Sequence, residues 1–244
     1  MSAGAMTGGG DRRLLDLWDR TGAAPMAARP AVLLDGLRQL AGLPADPPAD
    51  RMSIGQRDRA LMLLRAQLFG PQVALQADCP DCGQVFDLSL DLPRLVEEDD
   101  GAPPPALLRI GPDRISLRPP ATRDLLAVLA LPAPSRAQAL LARCASTPLP
   151  RPLDAAEIEA GAQALALADP HADIQLATRC PACAAAQVLG FDIAASLWDD
   201  LSRLARRLLR EVHRLASAYG WTEAQVLSIP AARRREYILM AGGQ

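Results

Sequence analysis

The residues of this chain best placed to do chemistry are four cysteines in two Cys-Pro-X-Cys pairs. They are Cys79-Pro80-Asp81-Cys82 and Cys180-Pro181-Ala182-Cys183, about a hundred residues apart. One pair supplies two thiolates, whereas a tetrahedral structural zinc takes four ligands. The economical reading is one split site: the fold brings the pairs together and a structural Zn2+ ties two parts of the chain. Two other uses of the spacing compete with it. A thioredoxin-like redox pair sits between a strand and a helix N-terminus, which lowers one thiol pKa. Here Cys82 leads into an alternating segment instead, and the motif occurs twice. A disulfide framework is the habit of secreted chains, and Met1 to Gly10 has neither the basic nor the apolar region of a signal peptide. Closing a loop of about 100 residues costs roughly 4 kcal/mol, while a structural zinc returns on the order of 10 kcal/mol or more. Cys144 stands alone in an apolar helical stretch and reads as a buried thiol.

The elements that must position these thiols are legible on either side of each pair. Val73 to Asp78 and Ile174 to Arg179 alternate as half-buried strands do. After the first pair, Phe86, Leu88, Leu90 and Leu92 fall on one face and Asp87, Ser89 and Asp91 on the other. After the second, Leu189, Phe191 and Ile193 repeat the pattern, and Phe86-Asp87-Leu88 has a counterpart in Phe191-Asp192-Ile193 with four extra residues between. The repeated unit is therefore strand, knuckle, strand, half of a zinc ribbon present twice. Gly83 follows the first pair, where a knuckle turn favours a residue without Cβ strain; Ala184 takes its place in the second, a departure from that pattern.

The remainder reads as mostly helical. Asp11–Arg20 is a short amphipathic helix, Ala31–Leu40 a second helix, and a proline-rich connection covers Pro44–Asp50. Ser53 with Gln56 makes a capping box for a helix that stops at Gly70-Pro71. Glu97 to Pro105 is an acidic, then proline-rich linker. Leu107–Ile110 and Ile115–Leu117 suit a hairpin around Gly111-Pro112-Asp113, and helices follow near 122–130, 135–145 and 154–168. From Leu197 to Tyr219, Leu201, Leu204, Leu208, Val212 and Leu215 recur at helical spacing, with arginines over much of the rest. Gly220 ends that helix, Thr222 with Gln225 caps a short one, and Pro230 starts another.

The fold class is thus α+β, mostly helical, with two β-hairpin CPxC knuckles forming a split zinc ribbon and a C-terminal amphipathic helical segment. The expected divisions are a disordered tail (1–10), a helical region (11–70), the first knuckle (71–95), a linker (96–106), a hairpin with helices (107–173), the second knuckle (174–196) and the C-terminal helices (197–244). Net charge is −2, so no global attraction to nucleic acid or an anionic membrane follows. No apolar run reaches the roughly 18–20 residues of a membrane span. The chain lacks lysine and asparagine, and all 26 basic residues are arginine. Both missing residues use AT-rich codons, so a GC-rich genome accounts for the arginine excess. The expected location is the cytoplasm, which the chain leaves only as part of an assembly.

The C-terminal segment admits a second reading. Ala216, Gly220 and Val226 have the spacing of a helix-turn-helix, which would make the chain a zinc-ribbon nucleic-acid adaptor. The would-be reading helix, Glu223 to Ile229, offers only Gln225 as a base-edge donor and is cut short by Pro230. An enzyme has little to work with. His171 and His213 are the only histidines, no phosphate-binding glycine loop is present, and a four-thiolate zinc has no open position.

Three blocks carry a family resemblance. The first is Met52-Ser53-Ile54-Gly55-Gln56-Arg57-Asp58-Arg59 through Phe69-Gly70 to Cys79-Pro80-Asp81-Cys82-Gly83. The second is Asp169-Pro170-His171-Ala172-Asp173-Ile174 leading into Cys180-Pro181-Ala182-Cys183. The third is Leu197-Trp198, then Ala205 to His213, then Tyr219-Gly220-Trp221-Thr222-Glu223, closed by Arg233-Arg234-Arg235 and Tyr237. Together they resemble the baseplate hub assembly proteins, or hub assembly chaperones, of contractile-tail phages and related contractile injection systems. The resemblance implies a non-enzymatic role in building the hub and spike at the tip of a contractile tail, with hub, spike or other tail subunits as partners. The candidate partner-binding residues are Arg203, Arg206, Arg207, Arg210, Arg214, Trp221, Arg233, Arg234 and Tyr237. The arginines form either a solvated face or a docking surface for an acidic partner.

Overall fold

The structure, a computed structural model, describes residues 8–97 and 104–242. Three helices come first: α1 (Gly8–Ala23), α2 (Arg29–Leu40) and α3 (Ile54–Phe69). The first hairpin, β1 (Gln72–Asp78) and β2 (Val85–Asp91), follows and runs into the short α4 (Leu92–Glu97). A second hairpin, β3 (Ala106–Ile110) and β4 (Asp113–Leu117), precedes α5 (Thr122–Leu129), α6 (Arg136–Cys144) and α7 (Ala155–Ala168). The third hairpin, β5 (Ile174–Arg179) and β6 (Ala186–Phe191), leads into α8 (Ile193–Tyr219), α9 (Glu223–Ser228) and α10 (Ala231–Gly242). Among the described residues each hairpin is its own two-stranded antiparallel sheet. The α+β class holds.

Local chemistry explains where the helices begin and end. The Ser53 hydroxyl accepts from the Gln56 N–H at 3.1 Å, and Asp154 from Glu157 N–H at 2.8 Å, each closing a capping box. Gly220 ends α8 in a left-handed conformation, φ 69°, a region a side chain enters only at a cost. Three boundaries differ from the sequence reading. α1 starts at Gly8, so residues 8–10 of the expected tail are helical; residues 1–7 lie outside the described residues, as does most of the expected acidic linker. α8 starts at Ile193, four residues before Leu197, because the Asp192 carboxylate accepts the Ala195 N–H at 2.9 Å and caps it. Ile193 is consequently a helical core residue, not a strand residue. Leu92 likewise opens α4 and does not continue β2.

The main core takes in one face of α1, α2, α3 and α8 together with the bases of the first and third hairpins. Leu17, Leu33, Leu34, Leu61, Leu197 and Leu201 are essentially inaccessible within it. Val73 from the first hairpin, and Ile174 and Phe191 from the third, reach into the same core. Both hairpins therefore rise from one hydrophobic base, which is why their tips can meet. Arg65 reinforces this arrangement from inside. Its guanidinium donates to the carbonyls of Gly70 and Gln72 at 2.8 and 2.5 Å and to Asp200 of α8 at 3.1 Å, joining the end of α3, the start of β1 and α8.

A second core lies between the β3–β4 hairpin and helices α6 and α7, with Leu108, Ile110, Leu141 and Leu165 buried. Polar contacts join it to the first. Asp169, just past α7, accepts from the Gly55 N–H at 2.8 Å and the Ser53 hydroxyl at 3.0 Å. The approach is so close that a Cβ on Gly55 would lie 2.2 Å from Asp169 Oδ1, so glycine is required there. The first two sequence blocks thus touch each other. Buried Arg57 donates to Thr122 Oγ1 at 2.9 Å across the same junction. In the second lobe, fully buried Asp124 is held by Arg118, Arg143 and the Ala121 N–H. Burial works to raise its pKa, but those three partners outweigh it and hold the carboxyl at about 2.

Candidate metal centre

The two Cys-Pro-X-Cys pairs occupy the tips of the first and third hairpins and converge. One ligand atom from each of Cys79, Cys82, Cys180 and Cys183 lies within 4.8 Å of the other three. Cys79 Sγ is 3.7 Å from Cys183 Sγ, and Cys82 Sγ is 3.7 Å from Cys180 Sγ. The first cysteine of each pair is 2 % exposed, and the second faces solvent. Ala77, Phe86 and partly buried Leu88, Ala185 and Leu189 pack beneath the thiols as a small core of their own.

Backbone geometry is the same in both knuckles. In the first, Cys79 N–H donates to Gln84 O and Gly83 N–H to Cys79 O, both at 2.9 Å. In the second, Cys180 N–H donates to Ala185 O and Ala184 N–H to Cys180 O, again at 2.9 Å. Ala184 adopts φ 60°, close to the φ 70° of Gly83. The missing glycine leaves the turn unchanged and places a Cβ in a strained region.

Strand register corrects one expectation. Phe86 pairs with Ala77, two residues before Cys79, and the equivalent pair in the third hairpin is Thr178 with Gln187. Phe191 pairs with Ile174 at the hairpin base. Phe86 and Phe191 are therefore not counterparts, and no residues are inserted: Phe86 lies under the thiols and Phe191 in the main core. The true counterpart of Phe86 is Gln187, whose side-chain amide nitrogen and oxygen are both buried without a protein partner. Nothing in the sequence marked Gln187, because its strand alternates equally well with Gln187 facing inward.

The thiols differ in proton affinity. The Cys183 N–H, and less strongly that of Ala182, favours the Cys180 thiolate and brings its pKa down to about 7. The Ala185 N–H favours the Cys183 thiolate, but crowding by Cys82, burial, Cys79 and Cys180 outweigh it and push that thiol up to about 12. Four thiolates packed this closely repel one another, and a cation among them removes the obstacle. Cys144 is remote from the cluster, 1 % exposed in the second lobe, and burial pushes its pKa up to about 11.

The other expected site residues fall into two groups. Arg203, Arg206, Arg207, Arg210, Arg214 and Arg233 are exposed. Arg234 is not a surface residue: its side chain is 1 % exposed, pairs with Asp11 at 2.6 Å and Glu211 at 3.0 Å, and donates to Ile229 O at 2.7 Å. It pins α10 to α1 and α8, and its place as a partner-binding residue is withdrawn. Trp221 and Tyr237 are half-buried and occupied with each other and Tyr219, with ring centroids 4.7–5.9 Å apart. These rings clasp α10 against the end of α8. His213 is exposed on α8, and His171 lies in a short 3-10 turn before β5.

No protein-family model, curated protein or solved structure matches this chain. No helix among the described residues is long and apolar enough to cross a membrane.

Proposed function

We propose that Cys79, Cys82, Cys180 and Cys183 hold one structural zinc, and that the chain is a non-enzymatic assembly protein of a contractile-tail baseplate hub. One observation carries the zinc assignment. Tetrahedral thiolates at the usual Zn–S distance of about 2.3 Å lie about 3.8 Å from one another, and the two cross-hairpin Sγ pairs are 3.7 Å apart. All-thiolate ligation suits zinc among the common divalent ions. A closed four-thiolate site supports architecture and leaves no position for substrate. In this reading the metal locks two hairpins that arise a hundred residues apart and so stiffens the main lobe.

The assembly role rests on the three sequence blocks and on what they build. The first two meet through Gly55 and Asp169 and supply all four thiols. The third forms α8 with its arginine face and the aromatic clasp. The test is a tagged pull-down of the chain from its native cells, with zinc measured in the same sample. Recovery of hub, spike or other tail subunits with about one zinc per chain is the expected result. Recovery of nucleic acid or transcription components without tail proteins would reject the assembly role in favour of the helix-turn-helix reading.

A further inference from the structure

One face of α8 is left uncovered by the rest of the fold. Arg203, Arg207, Arg210 and Arg214 follow one another at spacings of four, three and four, so they form a single stripe about 16 Å long. Arg206 flanks it. Arg203 is tied to Asp200 of its own helix. Arg206, Arg207, Arg210 and Arg214 make no ion pair or side-chain hydrogen bond among the described residues, and all are exposed. Glu211, the acid of this stretch, is turned inward to Arg234. Like charges at these spacings destabilise a helix, so the arrangement works against the isolated chain.

The stripe has an apolar border. A Cβ on Gly242 would lie 3.6 Å from the Arg214 guanidinium, which places the end of α10 beside the stripe. Leu239 is one helical turn before Gly242 on the same side of α10, and Met240 adjoins it. Leu239 is 69 % exposed and Met240 61 % exposed, among the most exposed large apolar side chains described.

We infer that this composite face is a docking surface for an amphipathic helix of a partner protein, apolar on one side and rich in Glu and Asp beside it. The inference rests on the assembly reading and names the chemistry of the partner. The apolar side of such a helix covers Leu239 and Met240 while its carboxylates reach the guanidiniums, which pair with carboxylates in a bidentate manner. The same face is poorly suited to nucleic acid. Leu239 and Met240 give a phosphate backbone nothing, Tyr219, Trp221 and Tyr237 are engaged with one another through one stacked and two edge-on contacts, and α9 spans only Glu223–Ser228.

The experiment uses the full-length, zinc-loaded protein and three fluorescent probes in 150 mM salt. One is a synthetic helix with Leu at heptad a and d positions and Glu elsewhere, the second a scrambled peptide of the same composition, and the third a single-stranded oligonucleotide. The amphipathic helix should bind at least tenfold more tightly than either control. Arg207→Glu with Arg210→Glu should weaken it at least tenfold, and Leu239→Ser alone several-fold, with zinc content and Tm unchanged. Leu239→Ser keeps the test intact if the double charge reversal does not fold. Equal binding of the two peptides, tighter binding of the oligonucleotide, or indifference to Leu239→Ser would overturn the inference. Applied to the native pull-down, the same variants separate the two readings. Tail subunits recovered equally by wild type and variants would remove this surface and leave the assembly role. Helix binding that depends on these residues, without any tail subunit recovered, would remove the assembly role and leave the surface.

Discussion

The first and third hairpins present their cysteines through the same pair of backbone hydrogen bonds, yet the residues around those bonds are unequal. The first has Gly83 in the left-handed position and Phe86 beneath the thiols. The third has Ala184 at φ 60° and Gln187 with both ends of its amide buried and unpaired. In local terms the third hairpin is the poorer knuckle. The thiols and the backbone turn are thus kept alike in both hairpins, while the positions that support them differ. A bound structural zinc contributes on the order of 10 kcal/mol, ample to hold a knuckle that would not form well alone.

The largest effect should come from removing one thiol from each hairpin. Cys79→Ser and Cys180→Ser should abolish stoichiometric zinc alike and lower stability by several kcal/mol, read by metal analysis and by thermal melts with and without chelator. If only one of them released the metal, the two hairpins would not share a site. Asp124→Asn supplies a control in the lobe that carries no thiol ligand. It should cost about 2 kcal/mol, since it removes a charge paired with two arginines, and leave zinc content untouched. Its pH dependence has a definite sign. The folded pKa of about 2 lies below the ordinary carboxylate value, so the stabilisation is present above about pH 4 and is lost as pH falls towards 2. The wild type minus Asp124→Asn stability difference should shrink across that window.

Two smaller changes sharpen the contrast between the hairpins. Gln187→Leu should raise stability by about 1–2 kcal/mol, because it removes two buried unpaired polar atoms and lets the third hairpin imitate the first. A denaturant midpoint that fell instead would show the amide to be satisfied in solution, by an ordered water for example. Gly83→Ala should cost about 1 kcal/mol and Ala184→Gly gain roughly half that, the gain reduced because glycine loses more chain entropy on folding. The same two shifts with and without chelator would show that the turn strain is independent of the metal.

Much of this architecture can be read from the residue order alone. The capping boxes at Ser53, Asp154 and Thr222, the stop at Gly220 and the hairpin around Gly111 are local, set by side chains and backbone groups within a few residues of one another. The four candidate ligands are legible for the same reason, since the two thiols of a pair are neighbours in sequence. The phase of the third hairpin is not. The pairing Phe86–Phe191 matched letters, whereas register is set by which residues face the core, and Phe191 belongs to the main core. Arg234 shows the same limit: a run of three arginines reads as surface, and only the packing of α10 on α8 and α1 buries the middle one between Asp11 and Glu211.

Most elements, their caps and the four candidate thiols are legible in the residue order, because they depend on short-range sterics, hydrogen bonding and side-chain chemistry. Only the packed fold sets both hairpins on one core with their tips touching, requires Gly55 to be bare for Asp169, and turns Arg234 inward while Arg206, Arg207 and Arg210 of α8 face solvent. Each of those facts depends on a contact between residues far apart in the chain, and such contacts are selected by the burial of the whole apolar surface rather than by any local preference.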